Sequence, residues 1–279
     1  MAFQTNPTEE SLRRVFLQGF AARDLAEPLA SFDATADIKD VREFMVNRPL
    51  RVVGVRIDGL VAGYVLQDEL DERSLLEQSL EFEDAVVIAG SVSFQEVVSR
   101  LNQHRFLVVT AIGQPTGVIV RDDIEKAPMR MWLFGMVTLV EMRITRVVRE
   151  SYPNDSWMDL ISESRLTKAR QLQDERARRL RSVDLVDCLQ LGDKGQLLAR
   201  STELRERHWN RSRRQIEKVI KELERLRNNL AHSQDIVAEN WDAIVRLADT
   251  LDLIVEGPKH LAIKNSLTPY DGPIARDPT

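Results

Sequence analysis

The sequence predicts an α+β N-terminal region followed by an all-α helical bundle. Two observations support this fold class. A stretch of 20 residues beginning at Arg51 recurs without a gap at Arg105, and each copy has the pattern of two short strands joined by a tight turn. From Met129 to about Ile254, in contrast, apolar residues recur every three to four positions, which is the spacing of one helix face. The chain therefore divides into two regions of different class.

The composition limits the classes of protein that the chain can belong to. Its 279 residues are 43% hydrophobic and 30% charged, which is typical of a folded, charge-rich protein with room for two domains. Cys188 is the only cysteine, so we expect neither an internal disulfide nor a structural metal site. The most apolar run, Met131 to Met142, is too short to span a bilayer, and the first residues do not resemble a signal peptide. We therefore expect a cytoplasmic protein with no membrane segment.

The internal repeat organises residues 1–128, which also include an N-terminal amphipathic helix. Each copy reads as a strand, a tight turn, a second strand and the acidic start of a helix. A capped amphipathic segment precedes the second copy, with Ser93 as the N-cap and Glu96 three residues later. The positions that are identical in the two copies are Arg51 and Arg105, Val55 and Val109, Gly59 and Gly113, Gly63 and Gly117, and Asp68 and Asp122.

This order of elements, given twice, resembles a tandem pair of CBS domains (the cystathionine beta-synthase type, or Bateman module). The resemblance implies an adenine nucleotide as a candidate regulatory ligand in the cleft between the copies, with a purely structural dimerisation module as the alternative. It assigns four candidate ligand residues: Gly63, Glu69, Gly117 and Asp123. The family pattern is incomplete, because Val120 and Leu66 stand where the family has a hydroxyl residue beside the phosphate.

The second region, 129–255, is predicted to be helical throughout, with a short connection at Gly192 to Gly195 and an extended or disordered tail at 256–279. Its charge is uneven. From Arg165 to Arg227 there are eighteen Lys and Arg against ten Asp and Glu, although the whole chain has a net charge of −5. A basic segment of this kind either binds a polyanion or forms a solvated face with mixed salt bridges.

The candidate catalytic residues are Arg227, Asn228 and His232, near the end of the longest basic helix. In a helix, Asn228 and His232 share a face at i and i+4, with Arg227 about a quarter-turn away. An arginine, a polar residue directly after it and a histidine a few positions later resemble the motif of the HEPN superfamily (higher eukaryotes and prokaryotes nucleotide-binding). The alternative is that Arg227 and His232 make only surface hydrogen bonds at a helix end.

The HEPN resemblance implies a metal-independent endoribonuclease that acts as a homodimer on RNA, with no cofactor for catalysis. Two alternatives stay open at this point. One is a non-catalytic protein that binds a nucleotide or RNA and dimerises through the bundle; the other is a toxin-like defence nuclease restrained by a partner. Of the other histidines, we expect His104 to be solvated or structural, and His208, next to Trp209, to pack between helices.

Overall fold

The computed structural model describes residues 7–48, 50–84, 86–179, 183–232 and 235–256. Within these ranges the chain forms two compact units. The first unit contains residues 7–137 and 225–249, and the second contains 138–224 and 250–256. The predicted fold class is confirmed: both sheets lie in the N-terminal part of the chain, and the C-terminal region is mostly helical.

Ten α-helices and eight strands are present in these ranges. The helices are α1 Pro7–Gln18, α2 Ile38–Asn47, α3 Leu75–Gln78, α4 Phe94–Gln103, α5 Ala127–Ser151, α6 Glu163–Ala177, α7 Leu191–Arg200, α8 Thr202–His208, α9 Arg213–Ala231 and α10 Val237–Glu256. The strands are β1 Glu27–Pro28, β2 Ser31–Asp33, β3 Val52–Ile57, β4 Leu60–Leu66, β5 Leu80–Glu81, β6 Val87–Ala89, β7 Phe106–Ala111 and β8 Gln114–Val120. Short 3-10 turns follow β4 and β8, at Gln67–Glu69 and Arg121–Glu125.

The two copies of the repeat form two sheets of the same design. One sheet has the order β2-β3-β4-β5 and the other has the order β1-β8-β7-β6. In each sheet a short strand pairs in parallel with the first strand of an antiparallel hairpin, and a helix connects the two. The register shift falls at the same place in both hairpins, between Val55 and Arg56 and between Val109 and Thr110. The alignment without gaps is thus the alignment of the folded copies.

Both hairpins turn on two consecutive residues with positive φ. In the first copy these are Asp58, at 52°, and Gly59, at 81°; in the second copy they are Ile112, at 51°, and Gly113, at 75°. Two left-handed residues in a row are what a tight turn needs to match the twist of its strands. Aspartate and glycine adopt this conformation readily, whereas a β-branched residue does so with strain. Ile112 is therefore an unfavourable residue at its position, and it is fully exposed.

The core of the sheet region contains apolar side chains from both sheets. The joint cluster consists of Val52, Tyr64, Leu66, Val86, Phe106, Val108 and Val118. Tyr64 lies edge-on to Phe106, with ring centroids 5.1 Å apart. A second cluster covers the opposite face of the first hairpin and includes Val41 and Met45 of α2. Alternate residues of the central strands thus serve two cores, which explains why these strands are apolar on both faces.

The second unit has a helical core that includes a largely buried ion pair. Lys194 of α7 is 3% exposed, and its Nζ donates to Glu141 Oε1 of α5 at 3.1 Å. The predicted connection at Gly192 to Gly195 is wrong, because these residues lie inside α7. A Cβ on Gly195 would come within 2.6 Å of Ile220, so the glycine allows α7 to approach α9 closely. The glycines serve helix packing here and do not break the helix.

The predicted boundaries at residues 128 and 255 differ from the division between the compact units. That division falls within α5, α9 and α10, and the last turn of α9 together with the first part of α10 belongs to the unit that contains the sheets. Hydrophobic periodicity shows which residues are helical, but it does not show which neighbour a helix packs against. The extended tail predicted for 256–279 lies outside the described residues except for Glu256, which ends α10.

Candidate functional site

The predicted catalytic residues lie on the last turn of α9 and directly after it. Burial of an apolar stripe explains why this segment is a helix: Ile216, Ile220, Leu223 and Leu226 are buried at i, i+4, i+7 and i+10. Arg227, next to the stripe, is half-buried, and Asn228 is exposed. His232 follows the helix, is exposed, and donates its backbone N–H to the Asn228 carbonyl oxygen at 3.1 Å. The last turn thus presents an imidazole and an amide to solvent beside a partly covered guanidinium.

Two charged residues of the sheet unit contact the chain on both sides of His232. Arg130 of α5 donates from Nη2 to the carbonyl oxygen of Asn229 at 3.2 Å. Glu125, at the end of the 3-10 turn after β8, accepts at Oε1 from the backbone N–H groups of Ile236 at 2.6 Å and Val237 at 2.8 Å. Sequence reasoning missed both residues. No sequence signal could have found them, because their partners lie about one hundred positions away in the chain.

The candidate ribose ligand Asp123 is already engaged by the protein. Its carboxylate accepts the backbone N–H of Val120 at 2.7 Å and forms an ion pair with Lys126 at 2.9 Å. Lys126 also pairs with Glu27. Burial acts to lower the pKa of Lys126, but the two carboxylates outweigh it, so that the pKa is raised above its ordinary value. Asp123 is itself buried. Its contacts therefore stabilise the turn after β8 and leave little carboxylate surface for a ligand.

The other three candidate ligand residues also contact the protein itself. Glu69 is exposed and lies 3.8 Å from Arg105. A Cβ on Gly63 would overlap Ser79 and the Leu80 carbonyl oxygen, and one on Gly117 would lie 2.9 Å from the Ala26 side chain. Both glycines thus allow a short edge strand to approach a hairpin. Of the four candidate positions, Glu69 alone presents an exposed side chain in this conformation.

Residues shared by the two copies pair with each other across the repeat. Arg51 of the first copy lies 3.4 Å from Asp122 of the second, and Arg105 of the second copy lies 2.5 Å from Asp68 of the first. The hydrogen bond from Arg105 is the largest cause that lowers the pKa of Asp68 below its ordinary value. The arginines and aspartates that are identical in the two copies thus form two ion pairs, and each pair joins one copy to the other.

A shallow cavity of about 500 Å³ lies beside the second hairpin. Ala89, Thr110, Ile112 and Gly117 are among the residues that line it. In the first copy, Asp33 and Arg56 occupy the positions that correspond to Ala89 and Thr110, as the matching strand registers show. Arg56 Nε donates to Asp33 Oδ1 at 2.9 Å and its Nη1 donates to the Ser31 carbonyl oxygen at 3.1 Å. The cavity therefore lies where the second copy has the smaller side chains Ala89 and Thr110.

His208 is buried in the second unit, as the sequence predicts for a packing residue. Burial lowers its pKa to about 4, and the positive charge of Arg143 acts in the same direction. A histidine with this pKa is neutral near pH 7 and is poorly placed to stack on a solvent-exposed base. His104 is half-buried and ends α4 through its backbone. Among the histidines that the structure describes, His232 alone is exposed.

Comparisons with known proteins find likeness at the level of structure. No protein-family model matches the chain, and no curated protein matches it. The CBS domain of a bacterial CNNM/CorC family Mg²⁺ transporter, solved in complex with ATP, is similar at a TM-score of 0.33 and 14% identity, covering 42% of this chain and 94% of that one. The AcuB protein of Vibrio cholerae is similar at a TM-score of 0.34 and 19% identity, covering 38% and 87%.

A hemolysin-like protein of Oenococcus oeni that contains a CBS domain is similar at a TM-score of 0.34 and 13% identity, covering 43% of this chain and 96% of that one. Within the part of the chain that the structure describes, no helix is long and apolar enough to cross a membrane.

Proposed function

We propose that this chain is a metal-independent endoribonuclease of the HEPN type, and that it acts as a homodimer on RNA. The observation that carries the proposal is the last turn of α9. There Asn228 and His232 are exposed four positions apart, and Arg227 is half-buried beside them. The sheet region, with its CBS-pair fold, is the regulatory part of the protein. A dimer would bring two such motifs together, as the resemblance to HEPN proteins implies.

The chemistry follows from the three side chains. His232 accepts the proton of an RNA 2′-hydroxyl, which attacks the adjacent phosphorus. The O2′–P bond forms, the P–O5′ bond breaks, and the leaving 5′-oxygen takes up a proton from an imidazolium. Arg227 holds the phosphate and offsets the negative charge that develops on it, while Asn228 donates to a phosphate oxygen or orients the ring. The products are a 2′,3′-cyclic phosphate and a 5′-hydroxyl, and DNA lacks the attacking group.

An adenine nucleotide is the regulator that a CBS pair suggests, but the candidate residues do not fit it in the conformation described. Asp123 would have to exchange the Val120 N–H and Lys126 for a ribose hydroxyl. No step of the cleavage mechanism requires an adenine nucleotide bound to the sheet region. Isothermal titration with AMP, ADP and ATP tests this point, and we expect no binding tighter than the millimolar range. Micromolar binding that is lost in Asp123→Ala would show that the carboxylate is released for a ligand.

The decisive experiment is incubation of the purified protein with single-stranded RNA and DNA of the same sequence in excess EDTA. We expect cleavage of the RNA only, with a cyclic phosphate at the new 3′ end. His232→Ala and Arg227→Ala should each lower the rate by about 10²-fold or more, since each removes a group that acts on the reacting phosphate. His104→Ala is the matched control, because it removes a histidine of the same unit that does not belong to the Arg227–His232 motif.

Light scattering should show a dimer for the wild type and for all three variants. RNA binding without cleavage would contradict the proposal and favour a non-catalytic regulator that binds RNA or a nucleotide. Cleavage that persists in His232→Ala would remove the residue assignment. Toxicity on expression that His232→Ala relieves would place the same chemistry in a toxin-like defence protein with a restraining partner.

A further inference from the structure

The end of α9 accepts hydrogen bonds from a guanidinium of α5. Arg130 Nη2 donates to the carbonyl oxygen of Asn229 at 3.2 Å and lies 3.5 Å from that of Leu230. The last carbonyl groups of a helix lack partners within the helix and carry the negative end of its dipole. A half-buried arginine at this place satisfies both the hydrogen-bonding and the electrostatic need. Arg130 thus fixes the turn that directly precedes His232.

The start of α10 is held by a carboxylate from the same unit. Glu125 Oε1 accepts the N–H groups of Ile236 and Val237, at 2.6 and 2.8 Å. These groups belong to the first turn of α10, where a negative charge is stabilised by the helix dipole. The two charged residues are also joined to each other, since Glu125 Oε2 lies 2.8 Å from Arg130 Nη1. The two members of one ion pair therefore bond to the backbone before and after His232, Arg130 to the end of α9 and Glu125 to the start of α10.

The same 3-10 turn makes another contact with α10. The guanidinium of Arg121 lies over the indole ring of Trp241, 4.4 Å from its centroid, and the indole Nε1 donates to Asn102 Oδ1 of α4 at 3.2 Å. Arg121 and Glu125 flank Asp123, which closes this turn. The turn after β8 thus contacts the first part of α10 through Arg121 and Glu125, and it reaches the end of α9 only through the ion pair of Glu125 with Arg130.

We infer that Glu125 and Arg130 are positioning residues, which hold the backbone on both sides of His232 and thereby make the second repeat the part of the sheet region that controls the motif. Their role in catalysis rests on the proposed function. Their hydrogen bonds to the backbone are independent of that function. Arg130 contacts the carbonyl oxygens two and three positions before His232, and Glu125 contacts the N–H groups four and five positions after it. Displacing a catalytic group by about 1 Å costs up to about 10²-fold in rate.

The test uses the full-length protein and four variants. Glu125→Ala removes the hydrogen bonds to the start of α10, and Arg130→Ala removes those to the end of α9. Arg130→Lys keeps a cation that can reach one carbonyl oxygen. Asp71→Asn is the matched control, because Asp71 directly follows the first copy as Glu125 follows the second, and its carboxylate accepts hydrogen bonds from Arg73, two residues away. Amide hydrogen exchange across residues 225–240 and steady-state cleavage of RNA are measured for each.

We expect exchange in residues 225–240 to rise about tenfold or more in Glu125→Ala and Arg130→Ala, while exchange in the hairpin at residues 106–120 stays as in the wild type. In the same variants kcat should fall by about tenfold or more with KM changed less than about twofold, because the substrate-binding surface is retained. Arg130→Lys should recover part of the loss, and Asp71→Asn should match the wild type in both measurements.

The outcomes separate this inference from the proposed function. Unchanged exchange in both alanine variants would overturn the inference, whether or not the protein cleaves RNA. Faster exchange with an unchanged kcat would overturn the positioning role in an active enzyme. If the wild type does not cleave RNA, the proposed function fails. The hydrogen-exchange data alone then decide whether Glu125 and Arg130 restrain the backbone of residues 225–240. An equal effect of Asp71→Asn would refute the assignment to the second repeat.

Discussion

The two copies of the repeat share one backbone but differ in what their corresponding side chains bind. Asp71, after the first hairpin, bonds to Arg73 two residues away. Glu125, at the aligned position after the second hairpin, bonds to backbone groups 111 and 112 residues away. The two copies thus share the design of their sheets, while Glu125, after the second copy, contacts the segment that follows His232. A repeat in sequence therefore does not imply a repeat in function.

The surfaces of the two copies have also diverged. The first copy has the Arg56–Asp33 pair and an Asp-Gly turn, both of which suit an exposed hairpin. The second copy has Thr110 and Ala89 beside a cavity, and a strained isoleucine at its turn. At the turn, the first copy thus has a residue that favours the left-handed conformation, whereas the second copy has one that does not.

The largest difference in stability between the copies should come from the first residue of each connecting helix. Phe94 begins α4, is fully buried and lies against Phe20 and Trp132, with ring centroids 5.4 and 6.0 Å away. Ile38 begins α2 and is half-buried. We expect Phe94→Ala to cost about 3–5 kcal/mol and Ile38→Ala about 1–2 kcal/mol in urea unfolding. Equal costs would mean that the two helices are equally important to the fold.

The turns should respond in opposite directions to an exchange of residues. Ile112→Asn relieves a β-branched residue from a left-handed conformation and should stabilise the protein by about 1 kcal/mol. Asp58→Ile places such a residue in the other turn and should destabilise it by about 1–2 kcal/mol. Thermal unfolding of the two variants measures both effects. A loss of stability in Ile112→Asn would show that Ile112 makes a contact that outweighs its strain.

The smallest effect concerns the ionisation of Asp33. The hydrogen bond from Arg56 holds the pKa of this carboxyl below its ordinary value. Asp33 therefore favours the folded state above pH of about 4, and this contribution is lost as the pH falls below that value. Arg56→Gln should raise the pKa of Asp33 toward its ordinary value, as carbon-13 NMR of the carboxyl group can measure.

The reverse exchange builds the pair in the second copy. Ala89→Asp combined with Thr110→Arg should give a new aspartate whose pKa is lowered in the same way, because the strand registers match. An ordinary pKa for the introduced carboxyl group in this double variant would show that the two surfaces differ in more than side-chain identity.

Most of the sheet region could be predicted because its signals are local. The turn residues at Gly59 and Gly113 and the alternation of the flanking strands give the hairpins, and Ser93 caps α4 as its position predicts, accepting the Glu96 N–H at 3.3 Å. The glycines of α7 misled because a glycine that permits close packing looks the same in sequence as one that breaks a helix. Gly195 is understood only beside Ile220.

The sequence by itself determined the repeat, the class of each region and the helix that carries Arg227 and Asn228 and ends directly before His232. These features were predictable because periodicity and turn chemistry act between residues close in the chain. Only the tertiary structure decided that Asp123 bonds to Val120 and Lys126, and that each shared arginine pairs with the aspartate of the other copy. The same holds for the hydrogen bonds of Glu125 and Arg130 to the backbone before and after His232. All but the contacts of Asp123 join residues far apart in the sequence, and charged side chains carry no periodic pattern that names their partners.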